Sequence, residues 1–173
     1  MRKEGKGFTL AEVMTVLAIV SLLTAIAIPN LLRAKTNANE AAAIKTLEAI
    51  GVALYDYSIV QTPPSFPSSL NDLATENPPY LAQEITDSSW TAVNITNLPD
   101  PPLGLIVLPG YKGYTFLYRP RPMSNIYDDY SLFALPKAKG SSGVRYFAID
   151  TSGMVRETGY DDIFTGSGGG KGP

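Results

Sequence analysis

The chain has 173 residues, room for one ordinary domain plus an appended element and too little for two full domains. It contains no Cys and no His, which removes thiol nucleophiles, thiolate or imidazole metal sites, histidine general-base catalysis and any disulfide framework. With 14 basic against 16 acidic side chains the formal charge is −2, and no basic stripe is present to neutralise a row of phosphates, so nucleic acid is not an expected partner.

The first seven residues, Met1 to Gly7, carry Arg2, Lys3 and Lys6 and lead into an apolar run from Phe8 to Ile28 whose one charge is Glu12. A helix over that run rises about 31 Å, the thickness of a bilayer's hydrocarbon core. The run is too long for the core of a secretory signal, and it ends in Ile28-Pro29-Asn30 instead of a small-residue cleavage site. A plain signal anchor fits the length but leaves Glu12 unexplained, because a carboxylate inside a spanning helix costs about 2.5–3.5 kcal/mol. The basic leader favours an N-terminus held in the cytoplasm.

The segment Gly7-Phe8-Thr9-Leu10-Ala11-Glu12, taken with the basic leader and the uninterrupted apolar run, resembles the prepilin signal of type IV pilins and of the pseudopilins of type II secretion. Ala11 stands where a larger apolar residue is common in those families, a mild departure. The resemblance implies that a membrane peptidase cuts between Gly7 and Phe8 and that Phe8 is then N-methylated. It also implies an assembly role for Glu12, paired with the new ammonium of Phe8 on a neighbouring subunit. Partners implied in the same way are identical subunits in a helical filament, the prepilin peptidase and methyltransferase, an inner-membrane assembly platform, and the membrane itself. The expected location is the inner membrane as a precursor, then an extracellular or periplasm-spanning filament. The physical argument for the pair is independent: a carboxylate among apolar helices needs a cation, and breaking a buried pair leaves an uncompensated charge. Hydration of Glu12 at the headgroup level is the plainer alternative.

Beyond Pro29 the helical pattern resumes. Ile44, Leu47, Ile50, Leu54 and Tyr57 recur at three- and four-residue steps, with Lys45, Glu48 and Asp56 on other faces, an amphipathic helix made to lie on a core. The reading is one long helix from about Phe8 to Ser58, weakened between Ala27 and Asn30, with Pro29 as a helix break that matches the family's proline. A Pro/Ser loop follows at Thr62 to Ser69, where Ser68 or Ser69 caps a short helix through Leu70, Leu73 and Ala74. The stretch from Thr75 to Lys112 is a long connection holding Trp90, with short strands expected at Thr91 to Ile95 and Leu103 to Leu108. The sequon Asn94-Ile95-Thr96 falls in it.

The last third alternates aromatic and turn-rich segments. Strands are expected at Tyr114 to Arg119, Ser131 to Leu135, Arg145 to Asp150 and Met154 to Glu157, with Asp150 to Gly153 as a turn. The fold class is therefore α+β, a pilin-like arrangement in which a long N-terminal helix packs its amphipathic half on a C-terminal antiparallel sheet. The strong part of the resemblance runs from Met1 to about Leu54; further on it is one of layout. The expected division is a leader at 1–7, a transmembrane and filament-core helix at 8–29, a globular head at 30–165 and a Gly-rich tail at 166–173.

Asp150, Asp161 and Asp162 are candidates for calcium, but their spacing matches no EF-hand and solvated turn carboxylates are the favoured explanation. Asp128-Asp129 reads as a surface loop. No other metal or cofactor is expected. Removal of residues 1–7 takes three of the 14 basic and one of the 16 acidic side chains, leaving 11 against 15 and an acidic head. These features describe a structural subunit without catalytic residues, a type IV pilin or a pseudopilin. A minor tip pilin is a variant of that reading. The rival is a membrane-anchored binding module working through the Thr75 to Lys112 connection.

Overall fold

The structure, a computed structural model, describes residues 7–70, 72–76, 78–81, 106–123 and 126–165. The Thr91 to Ile95 strand, Trp90, the sequon and the 166–173 tail lie outside the described residues, as does most of the leader. The chain divides into two units, Met1–Lys35 and Thr36–Pro173.

Helix α1 (Leu10–Val60) is 51 residues long and runs from the first unit into the second. It keeps α-helical form through Pro29, as the reading of one long helix expects, and Pro29 does not end it. Proline removes only its own N–H, depriving a single carbonyl four residues earlier of its donor. One residue on, the Asn30 side-chain amide donates to the Ile26 carbonyl at 3.1 Å, an added bond in the turn that proline weakens.

In the second unit α1 does what its periodicity predicts. Leu47, Ile50 and Leu54 are fully buried, and Ile44 and Tyr57 pack at the margin of the same cluster. Helix α2 (Asp72–Thr75) is a single turn, and the backbone N–H of Ser69 donates to the Asp72 carboxylate at 3.3 Å.

Five antiparallel strands follow in sequence order: β1 (Ile106–Tyr111), β2 (Tyr114–Met123), β3 (Ile126–Pro136), β4 (Tyr146–Asp150) and β5 (Arg156–Thr158). The four regular strands expected are all present, and β1, which overlaps the Leu103 to Leu108 reading, extends them to a five-stranded meander. Period-two alternation puts Tyr114, Phe116, Tyr118, Leu132, Ala134, Phe147 and Ile149 on the face that meets α1. Register pairs Phe116 with Ala134 and Ala134 with Phe147 across three strands. The other face buries Leu117, Phe133 and Leu135 under Ile163 of helix α3 (Tyr160–Thr165). Asp161 and Asp162 therefore sit in the first turn of a helix and not in a loop. Asp128 and Asp129 belong to β3, where Asp129 opposes Arg121 of β2 and pairs with it at 3.3 Å.

The β3–β4 connection packs closely on the sheet at Gly143. That glycine is buried against the ring of Tyr114, whose hydroxyl donates to the Arg145 carbonyl at 2.9 Å, and a Cβ added at Gly143 overlaps that ring. Tyr114 is itself fully buried and has no room to swing away. Gly143→Ala is expected to cost about 1–3 kcal/mol by overpacking, measured as a drop in the urea midpoint at unchanged slope.

Candidate functional site

The N-terminal segment carries the chemistry that the sequence singles out. Gly7, Phe8 and Thr9 precede the helix in non-helical conformation, and Phe8 is 89% exposed. Helix α1 starts at Leu10 because Thr9 and Glu12 form a reciprocal cap. The Thr9 N–H and hydroxyl each donate to Glu12 Oε2 at 2.8 Å, and the Glu12 N–H donates to Thr9 Oγ1 at 3.3 Å. A Thr followed three residues later by Glu is the capping-box signature, which satisfies two otherwise unpaired donors at a helix start. Thr9-Leu10-Ala11-Glu12 displays it openly, and it gives Glu12 a capping role in addition to its charge. Both side-chain bonds fall on Oε2, which leaves Oε1 open among the described residues.

Every residue of α1 from Leu10 to Lys35 is exposed, including Leu17, Val20, Leu23 and Ile26. This is the described helix that is long and apolar enough to cross a membrane. Its hydroxyls are turned inward onto the helix itself: Thr15 donates to the Ala11 carbonyl at 2.8 Å, Ser21 to Leu17 at 2.7 Å and Thr24 to Val20 at 3.0 Å. Polar groups satisfied within their own helix enter hydrocarbon without an orphaned donor. The segment is thus built to be covered by lipid or by other apolar helices.

Two of the candidate calcium residues have partners within the chain. Asp150 accepts from the Ser152 N–H at 2.8 Å and pairs with Arg156 at 3.5 Å, while Asp162 accepts from the Gly159 N–H at 3.1 Å. Among the described residues no group of three or more acidic side chains is gathered for a metal. A polar site that the sequence did not announce lies on α1 at Glu40. Its side chain is 6% exposed, with Oε2 at 2.8 Å from the Arg145 guanidinium and Oε1 accepting the N–H groups of Val144 at 2.9 Å and Arg145 at 3.3 Å. Burial pulls this carboxyl's pKa up, and the bonds from Val144 and Arg145 outweigh it, leaving it below the usual value.

Comparison with known proteins falls on the same segment. Residues 2–28 match the family model of the prokaryotic N-terminal methylation motif. Over 38 residues the chain is 50% identical to the type IV wide pilus major component PilA4 of Thermus thermophilus, a match covering 22% of this chain. The match spans 29% of the length of that relative. No solved structure matches the chain. The chain therefore carries a type IV pilin-like N-terminal methylation segment, joined to an α+β fold of long helix and antiparallel sheet.

Proposed function

We propose that the protein is a structural subunit of a type IV pilus or pilus-like filament, made as a membrane-held precursor, cut between Gly7 and Phe8 and N-methylated on Phe8. The observation that carries this reading is the coincidence of the methylation motif over 2–28 with an apolar helix whose surface is exposed throughout. A bare apolar helix of this kind is stable only in lipid or packed against like helices. In the filament the helices of identical subunits cover one another. Glu12 then sets register: its open Oε1 accepts the Phe8 ammonium of a neighbour while Oε2 keeps the cap. The chain's role is mechanical, with the peptidase and assembly platform supplying catalysis and energy. A type II secretion pseudopilin is the second reading, favoured by the absence of Cys, since the pilin resemblance implies a C-terminal disulfide that this chain cannot form.

The test is an intact mass with N-terminal fragmentation on protein sheared from the source cells. A dominant species beginning at methylated Phe8 is the expected result for a surface pilus. The same processed species confined to the membrane fraction favours the pseudopilin, and an uncut Met1 form in every fraction overturns the processing reading.

A further inference from the structure

Charge in the second unit is sorted by position along α1. Two loops close on the helix at Thr36, Asn39 and Glu40: the β1–β2 turn at Lys112-Gly113 and the β3–β4 connection from Lys137 to Arg145. The Asn39 amide donates to the Ser142 carbonyl at 2.8 Å, and Lys137 N–H donates to the Gly113 carbonyl at 2.9 Å. Gly113, at φ 82°, is tight against Asn39 and leaves no room for a Cβ. These contacts bring Lys112, Lys137 and Lys139 to one end of the unit, all three exposed.

None of the three meets a carboxylate among the described residues. The other described cations from Thr36 onward are engaged: Lys45 with Glu48, Arg121 with Asp129, Arg145 with Glu40, Arg156 with Asp150, and Arg119 on the Ile163 carbonyl. Lys112 and Lys139 lie over the rings of Tyr111 and Tyr146, contacts that leave their charge unneutralised. The other end of the same helix stretch is acidic. There the Tyr57 hydroxyl is pushed up first by burial and then by the charges of Asp72 and Glu76. An overall acidic unit thus presents its uncompensated basic charge at the end where the chain enters from the apolar segment.

We infer that Lys112, Lys137 and Lys139 form a docking surface for anionic phospholipid headgroups, used while the chain is held in the membrane. Thr36 and Asn39 follow Ile28 by only 8 and 11 residues, which limits their distance from it to about 29 and 40 Å whatever path the chain takes. A headgroup layer of about 6 Å, a screening length of about 8 Å and flexible lysine stems widen the range over which this end of the tethered unit meets the surface. Each lysine near an anionic surface raises association by about fivefold. In sequence Arg33 and Lys35 add basic charge just before this point. The inference rests on the membrane-span reading of residues 8–28 and names the surface that the anchored unit meets.

The test uses the full chain in lipid nanodiscs of phosphatidylcholine alone or enriched in phosphatidylglycerol, with the rate of amine acetylation read at each lysine by mass spectrometry. Phosphatidylglycerol is expected to slow labelling of Lys112, Lys137 and Lys139 at least threefold, with recovery in high salt and no change at Lys45. Equal rates in the two discs overturn the inference while leaving the span intact. Slowing that follows the number of chains per disc and ignores lipid charge assigns the surface to a second copy, and also overturns it. A chain that fails to remain in either disc overturns the span reading and this inference with it. The triple variant K112Q/K137Q/K139Q, altered only at exposed side chains, is expected to lose the phosphatidylglycerol-dependent protection of the 137–145 loop in hydrogen exchange.

Discussion

Glu40→Ala is expected to destabilise the sheet-bearing unit by about 2–4 kcal/mol, read as a fall in the urea midpoint of the detergent-solubilised chain. The carboxylate joins α1 to Val144 and Arg145 through four bonds, two to backbone N–H groups and two to the guanidinium. Its loss leaves those N–H groups without their acceptor where the carboxylate lay nearly enclosed. Arg145 is 48% exposed and regains water, which keeps the loss below that of a fully enclosed pair. Glu40→Gln keeps the shape and some of the acceptor capacity, so a smaller loss separates charge from packing. The same geometry sets an acid limit. Because the folded carboxyl titrates below its unfolded value, its contribution is complete above about pH 4.3 and is lost as pH falls through the folded value. Wild-type stability is expected to fall over that range and the Glu40→Gln variant to fall less. Asp150, also lowered by its bonds to Ser152 and Arg156 against the pull of burial, adds a residual slope to both.

Glu12→Gln is expected to reduce filament yield at least tenfold while helix α1 still starts at Leu10. A capping box accepts Gln in place of Glu, so the bonds from the Thr9 N–H and hydroxyl survive in neutral form. What disappears is the charge that the proposed pair with the Phe8 ammonium requires, and an ammonium left alone among apolar helices carries a penalty of about 3–5 kcal/mol. Glu12→Ala removes cap and charge together. Membrane insertion is expected to be unimpaired in both, because removing a carboxylate from a spanning helix lowers its insertion cost. Filament yield, scored by shearing and immunoblot against total precursor, decides the matter. Normal yield from Glu12→Gln with loss from Glu12→Ala assigns Glu12 to the cap alone, and normal yield from both removes it from assembly.

The membrane-length run, the methylation-type segment around Gly7, Phe8 and Glu12, and the buried stripe of Leu47, Ile50 and Leu54 were all legible in the chain. Each is a local or periodic signal: uninterrupted hydropathy, a short motif at set offsets, and a 3.6-residue repeat that a helix must present to a core. The strands at Tyr114 and Arg145 were legible for the same reason, since alternation needs only neighbours in sequence. The extent of β3 was not. Asp128 and Asp129 look like a loop by composition, yet Arg121 on the facing strand compensates Asp129 and lets the ladder extend. Pro29 likewise reads as a break from its own chemistry, while the surrounding helix absorbs one missing donor. Asp161 and Asp162 became helical because Ile163 reaches the outer face of the sheet, a burial that no pattern within a six-residue segment encodes. The Glu40 pin and the lysine end of the unit join residues about a hundred positions apart, and such pairings arise only when the meander folds back on the helix that precedes it.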